Sequence, residues 1–267
     1  MRVALVSRFH SMRDVHNFWI FTDADNTLWD TDALYASAQL ALLSAAENIA
    51  KKQAPAADRL TFVRAYDQEI AARHHSGLRY PPALLIRALV SGVEGQTVQD
   101  AGRSVLTAGS VATEDESTAL RSYSQILSGV PPILPGVKMG LELARDTGIP
   151  VYVVTEGSIE LARNRLHALE IEPLIAGVLS ATKTADLYGR LIQRAAPKSA
   201  VMIGDQPDKD IQLAHCAGML TILVRGRFRP VWTQTMSAMI ADTAAEDFFD
   251  AIKWVVEREA PPADTGG

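Results

Sequence analysis

Short, unbroken apolar runs alternate along the chain with longer stretches whose apolar residues recur every three or four positions. The runs FWIFTD (18–23), PVYVVT (150–155), SAVMIGD (199–205) and LTILVRG (220–226) stop abruptly at polar or glycine residues, as strands buried on both faces do. Between the later runs, VKMGLELARDTG (137–148), SIELARNRLHALE (158–170), ADLYGRLIQRAA (185–196) and KDIQLAHCAGM (209–219) have the period of amphipathic helices, with Gly148 and Gly218 where helices usually end. Strand and helix in alternation predict an α/β fold: a Rossmann-like parallel sheet with helices on both faces.

Residues 33–129 follow a different rule. ALYASAQLALLSAAENIAKK, DRLTFVRAYDQEIAARHH and PPALLIRALVSGV keep helical periodicity with few strand-like runs, which predicts an inserted, mostly helical domain after the first core strand. GVPPILPGVK (129–138), with three prolines and two glycines, is a natural hinge back into the core. The core is therefore expected to be discontinuous, 1–32 with 130–258, and the closing residues 259–267 to be a flexible tail.

Composition narrows the partners. With 267 residues and 48% hydrophobic content the chain can bury a sizeable core. A formal charge of -5 and a pI near 5.7 provide no basic field for nucleic acid, so none is expected as a partner. Cys216 is the single cysteine, which excludes an internal disulfide and a cysteine-built metal knuckle and suits a reducing compartment. The opening apolar run is too short for a signal peptide, and no run reaches the roughly 20 residues of a membrane helix. The expectation is a cytoplasmic protein without membrane contact, a monomer or homodimer.

Candidate chemistry gathers at the ends of the apolar runs. In an open parallel sheet ligands bind beyond the carboxyl ends of the strands. That rule collects Asp23 and Asp25, Thr155, Asp205 and Asp210, with Lys183 from ATKTADLY. Two unit charges about 4 Å apart repel by roughly 4 kcal/mol at an effective dielectric near 20, so this many carboxylates require a cation among them. Oxygen donors without cysteine or histidine favour a hard ion such as Mg²⁺. Lys183 and Thr155 supply an ammonium and a hydroxyl for a phosphoryl group. One aspartate can attack phosphorus, and a second close by can protonate the leaving alkoxide and later deprotonate water.

A lone Asp-x-Asp is a weak signal, because acidic pairs are common in turns. Here it is followed in order by three further motifs. Asp23-Ala24-Asp25-Asn26-Thr27-Leu28, Thr155, Lys183 and Gly204-Asp205-Gln206-Pro207-Asp208-Lys209-Asp210 together resemble the four motifs of the haloacid dehalogenase-like (HAD) hydrolase superfamily, over roughly residues 18 to 255. The helical insertion is similar to that family's C1 cap. The resemblance implies a nucleophilic Asp23, an acid/base Asp25, and phosphate binding by Thr155, Lys183 and Asn26. It implies Mg²⁺ held by Asp23, Asp25 through its backbone carbonyl and Asp205, with Asp210 either a further ligand or a residue that orients the ligands. The motif departs from its relatives at Glu156, where asparagine is usual, and at Thr184, where proline is frequent; Glu156 is expected to turn away from phosphate or toward the cap.

The implied activity is Mg²⁺-dependent hydrolysis of a small phosphorylated metabolite through an aspartyl phosphate. A phosphomutase of the β-phosphoglucomutase type retains both aspartates and stays open, as does a phospho-aspartate signalling or binding protein. Asp25 argues against a dehalogenase or a phosphonatase. Of the remaining residues, Asp30 and Asp32 are expected to shape the entry to the next helix, Trp29 to pack, and Lys198 to sit in a loop at the wrong end of its strand. Thr155 would also serve as a helix N-cap. His74 and His75, adjacent on a helix, would diverge by about 100° and bind no common metal. Arg73 and Arg79, and more weakly Arg87, are candidate contacts to an anionic substrate. Cys216 reads as small core filler.

Overall fold

The computed structural model of the chain describes residues 18–77, 80–107, 113–196, 198–226 and 240–259. The flexible-tail expectation for 259–267 and the Arg79 assignment therefore fall almost wholly outside the described residues. The chain divides into two compact units, Met1–Thr31 with Val130–Gly267, and Asp32–Gly129.

Strand β1 (Phe18–Thr22) opens the described chain, and five helices follow it: α1 (Thr31–Ala50), α2 (Arg59–Arg73), α3 (Pro82–Glu94), α4 (Val98–Thr107) and α5 (Glu114–Leu127). The chain then runs through α6 (Val137–Asp146), β2 (Val151–Thr155), α7 (Ile159–Ala168), β3 (Gly177–Ser180), α8 (Ala185–Ala195) and β4 (Ser199–Gly204). It closes with α9 (Gln212–Cys216), β5 (Leu220–Val224), β6 (Thr243–Ala245) and α10 (Phe248–Glu259).

Among the described residues the strands form one sheet in the order β3-β2-β1-β4-β5-β6. All five pairings are parallel. Alternation along β1 shows why the runs are apolar throughout. Ile20 packs with Leu141 of α6 and Ile252 of α10, while its neighbour Phe21 packs on the other face with Leu187 and Leu191 of α8. Each such fully buried side chain contributes about 1.5–3 kcal/mol, which is why strands at the centre of a double-sided sheet tolerate few polar residues. Gly140 lets α6 lie close to α10, since a Cβ there would come within 2.9 Å of the Phe248 ring.

In the helical unit, Leu42, Val63, Ile70, Leu85, Ile86 and Leu89 make a separate core. Thr113 and Glu116 form a reciprocal capping box that starts α5. Glu116 also pairs with Arg87 at 3.0 Å, and Arg64 pairs with Asp32 at 2.7 Å. No helix of the described residues is long and apolar enough to cross a membrane.

Several sequence readings are revised. The stretch 209–219 is not one regular helix: Pro207–Ile211 winds as a π-turn before α9 begins. Helix α2 ends at Arg73, so His74 and His75 lie beyond it, and their rings stack at 4.3 Å instead of diverging. Cys216 is exposed at the end of a short helix rather than filling the core.

Candidate active site

The connectivity sets the location. From β1 the chain proceeds to β2 and β3 on one side, then crosses to β4 on the other, so the order reverses between β1 and β4. A crevice at such a switch point, past the carboxyl ends of the strands, is the standard ligand position of this architecture. Asp23 directly follows β1 and Asp205 directly follows β4.

Asp23 is held where the ladder ends. Its N–H donates to the Ile203 carbonyl at 2.9 Å, and the Thr22 hydroxyl donates to the Asp23 carbonyl at 2.9 Å. The chain then folds into a tight turn in which Asn26 takes a left-handed conformation (φ 57) and donates its N–H to the Trp29 carbonyl at 2.7 Å. Asparagine adopts that conformation at low cost, which suits this position of the motif.

Lys183, buried on the loop before α8, bridges two carboxylates. Its ammonium donates to Asp23 Oδ1 and to Asp210 Oδ1, the latter at 2.6 Å. Asp210 is fully buried, and its other oxygen accepts from the Gln206 N–H at 3.1 Å. Gly204 makes the room: a Cβ there would lie 2.4 Å from the Asp210 carboxyl carbon. The π-turn that interrupts the expected helix is the segment that carries Asp210 inward.

Asp23, Asp205 and Asp210 each offer a carboxylate oxygen within 4.8 Å of the others. Asp23 Oδ2 and Asp205 Oδ1 are buried and have no hydrogen-bond partner among the described residues. Orphaned buried oxygens are costly, and three hard carboxylates around them fit a cation with oxygen preference. The Asp25 carboxylate is not in this set; its expected share was the backbone carbonyl.

Burial pushes the Asp23 carboxyl up to about 7, with Lys183 opposing and Asp210 and Asp25 reinforcing the rise. Burial, together with Asp23 and Asp210, also holds Asp205 well above the usual carboxylate range. For Lys183 burial alone would lower the ammonium, but Asp23 and Asp210 outweigh it and hold it well above the ordinary lysine value. The cluster thus contains more negative charge than one lysine neutralises.

Asp25 sits in different surroundings. Its side chain is 41% exposed, against 5% for that of Asp23. Its Oδ1 accepts from Trp29 Nε1 at 2.8 Å, from the Thr31 hydroxyl at 2.5 Å and from Arg165 Nη1 at 3.1 Å. Trp29 therefore both packs, at 1% exposure, and donates.

Thr155 ends β2, buried, and its hydroxyl accepts from the Gly157 N–H at 3.0 Å. It does not cap α7; Ser158 does, accepting from the Leu161 N–H. Glu156 turns to the neighbouring loop, where Oε1 accepts from the Lys183 N–H at 2.9 Å. The unusual residue of the second motif thereby fastens the backbone that carries the lysine.

Of the remaining candidates, two belong to the helical unit. Arg73 pairs with Glu69 on the exposed side of α2, and Arg87 pairs with Glu116. Lys198 precedes β4, at the end of the strand opposite Asp205. Sequence reasoning missed Arg165. Its signal was available: Ala162, Arg165 and Leu166 share the buried face of α7, and a cation on a helix's apolar face requires a partner.

Comparison with known proteins follows the same residues. A family model described as haloacid dehalogenase-like hydrolase matches residues 19–218. A phosphoserine phosphatase of Thermus thermophilus is 31% identical over 108 residues, 37% of this chain and 43% of that protein. The match thus spans under half the length of that curated relative. Among solved structures, the magnesium-bound HAD hydrolase YfnB of Bacillus subtilis aligns with TM-score 0.58 at 15% identity, covering 90% of this chain and 99% of that one. A haloacid dehalogenase-like family hydrolase of Xanthomonas campestris aligns with TM-score 0.60 at 14% identity, covering 91% and 96%. At these identities the structural likeness speaks for the fold.

Proposed function

Because the chain belongs to the haloacid dehalogenase-like hydrolase family, we propose that it is a Mg²⁺-dependent phosphomonoesterase acting on a small phosphorylated metabolite, with Asp32–Gly129 serving as its cap. The observation that carries this reading is the contrast between two carboxylates two residues apart. Asp23 is buried against Lys183, while Asp25 is half-exposed and held by neutral and cationic donors. Different environments suit different roles, a nucleophile and a proton carrier.

In the first half-reaction an Asp23 oxygen bonds to phosphorus as the ester P–O bond breaks. The electron pair leaves on the ester oxygen, and the Asp25 carboxyl proton passes to it, releasing the alcohol. In the second, a water oxygen bonds to phosphorus and loses a proton to Asp25, and the pair of the Asp23–phosphorus bond returns to the Asp23 carboxylate. Lys183 offsets charge on the phosphoryl oxygens, and Thr155 and Asn26 are assigned to bind them. Asp23, Asp205, Asp210 and the Asp25 carbonyl would hold Mg²⁺, which neutralises charge on the phosphoryl group when bound.

The test is release of inorganic phosphate from a panel of phosphorylated sugars, acids, amino acids and nucleotides, with Mg²⁺ and with EDTA. Mg²⁺-dependent release from at least one is expected. An isomerised sugar phosphate without free phosphate would establish the mutase instead, and a phospho-aspartate stable for minutes without turnover would establish a signalling module.

The metal assignment has its own signature. A carboxyl group whose folded pKa lies above its ordinary 3.8 favours the folded state at low pH, and that advantage disappears as pH rises toward about 7. Asp205 acts in the same direction. Lys183, raised, stays charged throughout that window and adds no slope. Mg²⁺ competes with protons for the same oxygens, so its stabilisation should grow with pH. At tenfold over its dissociation constant it should add about 1.4 kcal/mol, or roughly 3 °C of thermal midpoint, near pH 8. Near pH 5.5 the gain should be under half of that. A Mg²⁺ shift of equal size at both values would remove Asp23 and Asp205 from the metal site.

A further inference from the structure

We propose that Arg165 is a positioning residue for Asp25, one that aims the carboxyl group at the leaving oxygen; this rests on the phosphatase reading above. Three donors converge on Asp25 Oδ1, and they are not equivalent. Trp29 lies in the turn that follows Asp25 and Thr31 opens α1 directly after it, so both are local to Asp25 in the chain. Arg165 stands 140 residues away in sequence, on α7. That helix is anchored in the core through Ala162 and Leu166, which pack in the same cluster as Ile20 and Val153 of the sheet. Arg165 is thus the donor that ties the Asp25 carboxyl to the frame carrying Thr155 and Asp23.

Its burial sharpens the point. The Arg165 side chain is 8% exposed, and a guanidinium is costly to bury unless a charged partner meets it. The Asp25 carboxylate is such a partner, at 3.1 Å, and the guanidinium carbon also lies 5.9 Å from the centre of the Trp29 ring. The ring and the carboxylate together hold the arginine in one orientation. A carboxyl group is planar and rigid, so fixing Oδ1 fixes Oδ2, the oxygen outside this set of donors. Oδ2 is then the oxygen left to pass a proton to the ester oxygen as its bond to phosphorus breaks and the bonding pair leaves with it.

A purely structural arginine, stapling α7 to the turn, would affect all substrates alike. A positioning arginine affects them according to how much their leaving group needs the proton. The experiment compares phenyl phosphate with p-nitrophenyl phosphate, nearly the same in shape, on the full-length protein with Mg²⁺. The readouts are the pre-steady-state release of phenol or nitrophenol, which isolates the first half-reaction, and KM. Arg165→Met is expected to slow release from phenyl phosphate by about 30- to 100-fold, and from p-nitrophenyl phosphate, whose phenolate leaves unaided, by less than about 5-fold. KM should change by less than about threefold for both, and Arg165→Lys, which restores the charge without the planar fork, should recover part of the loss. Equal losses on the two esters, or no loss on either, would overturn the proposal. If Arg165→Met does not fold, Arg165→Lys decides by the same criterion: an unequal loss supports the role and an equal one overturns it. A wild-type protein that releases phosphate neither from these esters nor from any member of the panel overturns the phosphatase reading and this inference with it. Wild-type turnover with a uniform Arg165 effect leaves that reading standing and overturns only the inference.

Discussion

Asp23→Asn is expected to reduce phosphomonoester turnover by at least about 10⁴-fold while the protein remains folded. The substitution keeps the size of the side chain and an oxygen that can accept from Lys183, but it removes the anionic oxygen proposed as the nucleophile. Lys183 would still have Asp210 at 2.6 Å, so the cation is not stranded. The substitution also relieves repulsion among Asp23, Asp25 and Asp210, which works against ionisation of an Asp23 carboxyl already pushed up to about 7. Thermal midpoints of the two proteins near pH 8 should therefore agree to within about 1 kcal/mol equivalent, a small change on the scale of single substitutions. The assay is inorganic phosphate release from the best substrate of the panel, with the midpoint measured on the same preparation. A folded Asp23→Asn protein that retains its turnover would eliminate covalent catalysis at this residue.

The readable parts of the fold share a physical cause. β1, β2, β4 and β5 are buried on both faces, so their sequences are unbroken apolar runs and their ends are visible as polar stops. β3 and β6 lack that signal. Gly177–Ser180 is only partly buried, and Thr243–Ala245, at an edge of the sheet, has three small residues. The carboxylates and the lysine could be gathered because strand polarity alone dictates where polar endings meet. Arg165 follows no strand end: its place on the apolar face of α7 marks it as a cation that needs a partner, but that partner is 140 residues distant and no local pattern names it. Glu156 illustrates the same gap. Its charge was visible, whereas its hydrogen bond to the Lys183 backbone depends on two loops meeting, which no local pattern encodes. The regular helix expected at 209–219 gives way at its start because the π-turn carries Asp210 into the cluster, where Gly204 leaves room for its carboxyl group.

Lys183→Met should affect activity and stability together, and the pH dependence separates the causes. Methionine matches the stem of lysine, so little packing is lost, but the ammonium that bridges Asp23 and Asp210 disappears. Removing one partner of a buried ion pair costs about 3–5 kcal/mol, because the remaining charges are left uncompensated. Here those charges can escape by protonation. Lys183 lowers the Asp23 carboxyl against the effect of burial, so without it Asp23 rises further. A folded carboxyl raised above its unfolded value is favourable at low pH and loses that advantage as pH increases through the folded value. The deficit measured by urea unfolding should thus be near its full size at about pH 8, less than half of it at about pH 5.5, and partly reversed by Mg²⁺ at the higher pH. Turnover should fall by roughly 10³-fold at either pH, since no proton restores the charge that Lys183 presents to the phosphoryl oxygens. A stability deficit independent of pH would mean that Lys183 contributes packing alone, and that the acidic cluster is neutralised by another group.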